Sequence, residues 1–332
     1  MRLLPALALL LTTAPALADY SGHPRAPALL EALREEHGFS QPQLEIVRAA
    51  LAEAQRLPQL VEMEQKAPER TETWTRYSRR IDDSRIRDGV ATLRRHPDFF
   101  DRAELEFGVP PPVIAAVLGI ETRYGNVTGK IRVLDALATQ GFDHPTRSPF
   151  FFSELLQFFV FCRDWGLQPA TLLGSYAGAM GAAQFMPSNY RRLALDYDND
   201  GRKDLWTLPD AIGSIGHYFV RYRPALAWKR GEPLAVPARL QGEVPASLEV
   251  NGKAAIYTVG QLKAAGLLPE VDLPPQTPAG ILQLSLEEGG PEYWIGLSNF
   301  YSVMTYNPRT FYAMAVTQLA LRIQQQIDAE AR

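Results

Sequence analysis

The chain is expected to fold as an α+β protein, mainly α. Two observations predict this. Helical patterns without glycine fill much of residues 26–65, and apolar or amphipathic helical segments return in 106–225 and after Phe300. Between them, residues 230–290 change character. Pro237, Pro245, Pro274, Pro275 and Pro278 punctuate short alternating runs, the pattern of a small β insertion. With 332 residues, 46% hydrophobic and 21% charged, the chain can bury a large core. Its length suggests roughly two or three domains.

The N-terminus reads as a secretory signal. Met1-Arg2 gives a positive start, Leu3 to Leu11 a short apolar core, and Ala16-Leu17-Ala18 a cleavage signature, with cleavage expected after Ala18. The apolar run is too short to span a bilayer, and no transmembrane segment is expected elsewhere. The formal charge of −3 argues against nucleic acid as a partner. Cys162 is the only cysteine, so no intramolecular disulfide can form. No cysteine follows the cleavage point to carry a lipid. A soluble exported protein is expected, periplasmic in a host with two membranes.

Helices are expected over Ala26 to Glu36 and Gln41 to Leu57. Residues 66–105 carry Arg79, Arg80, Arg85, Arg87, Arg94 and Arg95, read as solvated helix faces and connections, with a groove for an anionic polymer as the alternative.

The segment Pro111 to Gly125 is the most informative. Two prolines suit a helix start and Gly125 a stop. Between them the sequence is apolar on nearly all sides, so the helix should be buried. Glu121 lies near its end, on a face shared with Val117 and Leu118. A carboxylate there is costly to ionise, and its pKa should rise. An acid still protonated near neutral pH is what protonates a glycosidic oxygen. A solvated helix-end Glu, or one paired with Arg123, fits the local sequence as well.

A second, aromatic-rich helix is expected from about Ser148 to Trp165, with Cys162 in its core. Ser175 to Ser188 is rich in small residues that let backbone approach a ligand, with Gln184 able to donate and accept hydrogen bonds. A tight core turn explains it equally. A helix follows from Pro187.

Asp196-Tyr197-Asp198-Asn199-Asp200-Gly201 matches the start of an EF-hand loop. Carboxylates at positions 1, 3 and 5 converge on a hard cation, glycine permits the turn, and the Arg202 carbonyl is the next ligand. Position 12 should be Glu and is Thr207; the nearest later carboxylate is Asp210. An acidic surface loop is the alternative. Another helix is expected from Pro209 to Tyr222. In the insertion, Asn251-Gly252 reads as a hairpin turn. The Tyr306-Asn307-Pro308 segment can present an aromatic face and an amide to a sugar, or form a helix-start turn capped by Asn307. A closing amphipathic helix is expected over Thr310 to Ile327. The five histidines show no metal spacing, and no phosphate-cradling loop is present.

Gly119-Ile120-Glu121-Thr122-Arg123-Tyr124-Gly125, Ser175 to Ser188, Asp196 to Phe219 and Phe300 to Leu319, in this order, resemble the membrane-bound lytic transglycosylase B family of peptidoglycan-cleaving enzymes. The resemblance runs from roughly Ala26 to the C-terminus. It implies a lysozyme-like core with an EF-hand-like calcium loop, an added α-domain and a small antiparallel β-domain. The implied division is a signal at 1–18, a mainly α domain at 19–105, the catalytic core at 106–229, the β insertion at 230–290, and a return to the core at 291–332.

The resemblance implies Glu121 as the sole catalytic acid and base. It implies Ser175, Gln184, Tyr218, Tyr306, Asn307 and Tyr312 as glycan contacts. It also implies structural calcium on Asp196, Asp198, Asp200, the Arg202 carbonyl and Asp210. The implied reaction cleaves the β-1,4 bond between N-acetylmuramic acid and N-acetylglucosamine without water and leaves a 1,6-anhydro ring, with no cofactor for catalysis. The implied partner is the glycan strand, and a monomer suffices. Asp143 and Glu154 are the nearest other carboxylates, read as structural. A lysozyme-type hydrolase and a non-catalytic glycan-binding protein are the rival readings.

Overall fold

The computed structural model describes residues 19–65 and 71–332. The signal reading of residues 1–18, and the start of the Arg-rich stretch at 66–70, lie outside them. Two compact units divide the chain: residues up to Glu62 with Ile131–Gly178, and Met63–Lys130 with Ala179–Arg332.

The first unit is helical. Its helices include Ala26–Glu35, Gln41–Glu53, Val133–Asp143 and Ser148–Asp164. Ser40 and Gln43 form a capping box that starts the second of these. That helix ends at Glu53, short of the expected Leu57, because residues beyond it bond elsewhere. Gln55 donates its N–H to Asp135 Oδ1 at 2.9 Å, and Leu57 to Thr139 Oγ1 at 3.0 Å. Asp143 accepts from Tyr20 Oη at 2.8 Å and Arg56 Nε at 2.7 Å, which gives it the structural role expected. Phe151, Phe158, Phe159, Phe161 and Cys162 are buried, and burial pushes the thiol pKa up. Ile131–Arg132 pairs antiparallel with Leu173–Gly174.

The second unit is built around the helix Pro111–Thr122, with Asp83–Arg95, Pro97–Phe107, Leu208–Arg221 and Thr310–Glu330 packed on it. All residues from Pro112 to Gly119 are buried. Each fully buried Val, Ile or Leu in such a helix is worth roughly 1.5–3 kcal/mol. Close approach is allowed by Gly119, where a Cβ would stand 2.6 Å from Tyr124 Oη. Among the expected solvated arginines, Arg79, Arg87, Arg94 and Arg95 are exposed. Arg85 departs from the expectation. It is buried, its guanidinium donates to the Arg80 carbonyl, and burial followed by the charge of Arg123 pulls its pKa down.

The expected insertion at 230–290 forms a five-stranded sheet together with Glu292–Gly296, a strand that lies beyond its expected end. Its spatial order is Tyr257–Thr258, Pro278–Leu284, Glu292–Gly296, Ala235–Leu240 and Leu267–Pro269, and every neighbour pair is antiparallel. Val236, Val259, Leu262, Leu267, Ala279, Ile281, Ile295 and Leu297 make its core. The expected Asn251-Gly252 hairpin is not formed. Asn251 has a left-handed φ of 56°, but its neighbours do not pair with each other. Its N–H donates to the Ile281 carbonyl at 2.9 Å, and its side-chain amide exchanges two hydrogen bonds with the Gln283 backbone. The side chain thus pairs with the strand edge in place of a strand. Among the described residues, no single helix is long and apolar enough to cross a membrane.

Candidate active site

The Pro111–Thr122 helix carries Glu121 in its last turn. The helix is buried as expected, but Ile120 and Glu121 at its end are only half-buried. The stop is sharper than one glycine would make it. Arg123, Tyr124 and Gly125 have φ of 49°, 59° and 84°, three left-handed residues in a row. Two of them are non-glycine, which costs energy unless the surroundings enforce it. Tyr124 is held by burial, by its N–H to the Leu118 carbonyl at 3.0 Å and by its hydroxyl to the Arg85 carbonyl at 2.6 Å.

Tyr312 stands in the first turn of Thr310–Glu330. Its hydroxyl donates to Glu121 Oε1 at 2.5 Å. Burial first, then the charge of Glu121, pushes the Tyr312 pKa well above that of ordinary tyrosine. Tyr312 therefore keeps its proton and remains a donor. Tyr306 lies parallel to it, ring centres 6.5 Å apart and planes 10° from parallel. Burial and then Glu121 push the Tyr306 pKa up as well, and its hydroxyl donates to the Ala183 carbonyl. Tyr218 is buried behind Tyr306, ring centres 4.7 Å apart, with its hydroxyl on the Thr305 carbonyl at 2.7 Å. Asn307 is half-buried and does not cap the next helix, whose N-cap is Arg309.

The small-residue segment forms a tight turn. Met180 and Phe185 exchange backbone hydrogen bonds at 2.9 and 3.1 Å, closing Gly181 to Gln184 between them. A Cβ at Gly181 would stand 2.6 Å from the Leu205 carbonyl oxygen, so the close approach here is to backbone. Gln184 takes a left-handed φ of 51°, and its Nε2 donates to Thr128 O at 3.1 Å and Gly181 O at 2.9 Å. Only its Oε1 remains for a ligand. Ser175 belongs to the first unit, half-buried, and its carbonyl accepts the Gly178 N–H at 3.0 Å.

The acidic loop folds on its own carboxylates. Asp196 accepts from the Asp200 and Gly201 N–H groups at 3.0 and 2.9 Å. Asp198 accepts from Asp200 N–H at 3.2 Å, and Asp200 from Arg202 N–H at 2.8 Å. Asn199 and Gly201 are left-handed. Carboxylate oxygens of Asp196, Asp198 and Asp210 lie within 4.8 Å of one another. Asp200 is not in that group. Thr207, where an EF-hand would place Glu, is instead the N-cap of Leu208–Arg221. Asp210 comes from the first turn of that helix and takes the Tyr197 and Asp204 N–H groups at 2.6 Å each. Burial raises its pKa, with the charge of Asp198 adding to the rise.

Sequence reasoning passed over Thr122 and Tyr124. Both lie inside the Glu121 motif, but their partners, Ala182 and Arg85, are distant in sequence and leave no local signal.

The model of the transglycosylase SLT domain family matches residues 24–321. The chain belongs to the transglycosylase SLT domain family. A relative in this family is membrane-bound lytic murein transglycosylase B of Escherichia coli K12, 39% identical over 311 residues, covering 91% of this chain and 83% of the relative. The Escherichia coli lytic transglycosylase Slt35 in complex with bulgecin A superposes with a TM-score of 0.82, at 39% identity, covering 93% of this chain and 95% of that one. Slt35 has also been solved in complex with calcium, with a TM-score of 0.81, 36% identity and the same coverage. The soluble lytic transglycosylase SltB1 of Pseudomonas aeruginosa gives a TM-score of 0.82 at 36% identity, covering 92% of this chain and 100% of that one. The mainly helical architecture with a small antiparallel sheet is that of the SLT family's Slt35 member.

Proposed function

We propose that the chain is a lytic transglycosylase of peptidoglycan, cleaving the β-1,4 bond between N-acetylmuramic acid and N-acetylglucosamine without consuming water. The observation that carries this is the Glu121–Tyr312 hydrogen bond at the half-buried end of a buried helix. The names of the relatives support the substrate. Glu121 gives its proton to the leaving O4 of N-acetylglucosamine as the glycosidic bond breaks. The 2-acetamido oxygen of the muramyl residue stabilises the positive anomeric carbon. The Glu121 carboxylate then takes the proton of the muramyl 6-hydroxyl while O6 bonds to C1. A 1,6-anhydro ring closes, and Glu121 regains its proton, so one carboxyl serves as acid and then base. Tyr312 holds the carboxylate in place by its donated hydrogen bond.

Gln184 Oε1, Tyr306, Asn307 and Tyr312 are assigned to the glycan, with Tyr218 supporting Tyr306 from behind. Ser175 is assigned on the family resemblance alone. No cofactor enters the reaction, and a monomer suffices for it. The expected divisions 19–105 and 106–229 are each cut by the two compact units, and the β part runs on past 290 to include the strand Glu292–Gly296, so the return to the helical part is assigned from Ser298. Export to the periplasm is supported by the positive start, apolar core and Ala-x-Ala ending of residues 1–18.

We also assign a structural calcium ion to the acidic loop. Three convergent carboxylates are the hard oxygen donors that calcium takes, and the Asp200 carboxylate and Arg202 carbonyl complete the assigned set. Calcium there would offset the mutual repulsion of Asp198 and Asp210.

Mass spectrometry of digested sacculi tests the reaction. Anhydro-muramyl ends, one water lighter than hydrolytic ends, are expected; reducing ends alone would establish a lysozyme-type hydrolase. Glu121→Gln should abolish cleavage while glycan binding persists. Unchanged cleavage in that variant would move the acid elsewhere.

A further inference from the structure

We propose that Thr122 is a positioning residue for Glu121, pinning the end of the catalytic helix to the turn that holds Tyr306. The inference rests on the reading of Glu121 as the acid and base. Thr122 is buried. Its Oγ1 donates to the Ala182 carbonyl at 2.9 Å and accepts the Gly125 N–H at 2.9 Å, so one hydroxyl serves two distant-acting contacts. The Leu118 carbonyl, one turn back, lies at 3.3 Å and is the weaker acceptor.

Each contact bears on Glu121 from a different side. Gly125 ends the run of three left-handed residues that stops the helix two residues after Glu121. Its N–H needs a partner that a helix would have supplied, and Thr122 is that partner. Ala182 belongs to the Gly181–Gln184 turn. The next carbonyl in that turn, Ala183, accepts the Tyr306 hydroxyl, and Tyr306 lies parallel to Tyr312, which donates to Glu121. The turn is fixed from the other side by the Ala182 N–H on the Leu205 carbonyl at 2.6 Å, where Leu205 N–H in turn donates to Tyr190 Oη at 3.0 Å. Thr122 therefore closes a ring of contacts: Glu121, Tyr312, Tyr306, Ala183, Ala182, Thr122 and back to Glu121 through one peptide bond. Serine can make the same two hydrogen bonds. Valine keeps the shape and strands a buried carbonyl and a part-buried N–H. Alanine removes both the shape and the bonds.

The test measures kcat and KM on soluble glycan oligomers, the pH-rate profile, and the melting temperature, for Thr122→Ser, Thr122→Ala, Thr122→Val and Glu121→Gln in the full chain. The expected result is a fall in kcat of about 10- to 100-fold for Ala and Val, with KM within about threefold and a displaced pH-rate profile, because misplacing a reacting group acts on the transition state. Thr122→Ser should recover kcat to within about threefold of the natural protein. Should Val not fold, the Ala and Ser pair decides. The proposal is overturned if Thr122→Ala keeps kcat per folded molecule, if its losses merely follow its melting temperature, or if Ser is as slow as Ala. Glu121→Gln separates the two failures. An active Glu121→Gln removes the reading underneath, whereas an inactive one beside an unimpaired Thr122→Ala removes this proposal alone.

Discussion

The Tyr312 hydroxyl reaches Glu121 Oε1 at 2.5 Å although the two residues are 191 positions apart in the chain. The contact ties the end of Pro111–Thr122 to the helix Thr310–Glu330. Burial and the Glu121 charge both keep the tyrosine protonated, so it retains the O–H that it donates to the carboxylate.

Replacing this donor tests its role. Tyr312→Phe should lower kcat by about 100- to 1,000-fold, the scale of losing one donor aimed at a reacting group. Because the Glu121 hydrogen bond raises the Tyr312 pKa, Tyr312 in return favours the ionised carboxylate. Its loss should move the alkaline limb of the pH-rate profile, where Glu121 loses the proton it must donate, to higher pH. An unmoved profile with normal kcat would remove Tyr312 from the site.

Calcium should raise the melting temperature, and a chelator should reverse the rise. At a hundredfold excess over Kd the gain is about 2.7 kcal/mol, enough for a shift of several degrees. Asp198→Ala should abolish the shift by breaking the group of three carboxylates. Equal melting curves with and without calcium in the natural sequence would refute the assignment.

The β sheet offers a packing test far from the chemistry. A Cβ at Gly280 would stand 1.8 Å from Tyr301 Oη, and that hydroxyl is buried with no hydrogen-bond partner. Gly280→Ala should destabilise by about 1–3 kcal/mol through overpacking. Tyr301→Phe should be neutral or stabilising by about 1 kcal/mol, because it removes an unsatisfied group. The double variant should recover part of the loss in urea unfolding, because the ring carbon that bore the hydroxyl still stands 2.9 Å from the new Cβ. Simple additivity of the two changes would show that the residues do not meet.

Acid stability should report on Asp82, the N-cap of Asp83–Arg95. The Ser84 hydroxyl first, and the Arg85 N–H second, hold its carboxyl below the usual aspartate value. A depressed folded pKa means that its stabilisation is complete above the unfolded value of about 4 and is lost as pH falls through the folded one. Asp82→Ala should therefore cost about 1 kcal/mol at neutral pH, the scale of a lost cap. It should also make the loss of stability below about pH 4 shallower. Parallel acid limbs in the two proteins would contradict this.

Much of the fold was legible because its signals are local. Proline starts, apolar periodicity and the alternating insertion place Pro111–Thr122, Ser148–Asp164, Leu208–Arg221 and the sheet close to where they stand. The half-buried place of Glu121 at its helix end and the turn of the acidic loop follow from local sequence, whereas their roles came only from the family resemblance. What failed was what depends on distant partners. Gln41–Glu53 stops early because Asp135 and Thr139 take the following N–H groups. Arg85 is buried because its helix packs on Pro111–Thr122. Asn251 turns left-handed as its type suggests, but it serves a strand 30 residues on instead of a local hairpin.

That last feature covers part of a sheet edge. In Pro278–Leu284 only the first two residues have a strand neighbour on the side of Tyr257–Thr258. Beyond them, the amide of Asn251 occupies the Gln283 donor and acceptor. Without it, a hydrophobic ribbon would offer free backbone to a second molecule, the template from which aggregates grow. One polar side chain, beside the Val250–Ile281 bridge, thus leaves this stretch of edge little free backbone to offer another strand.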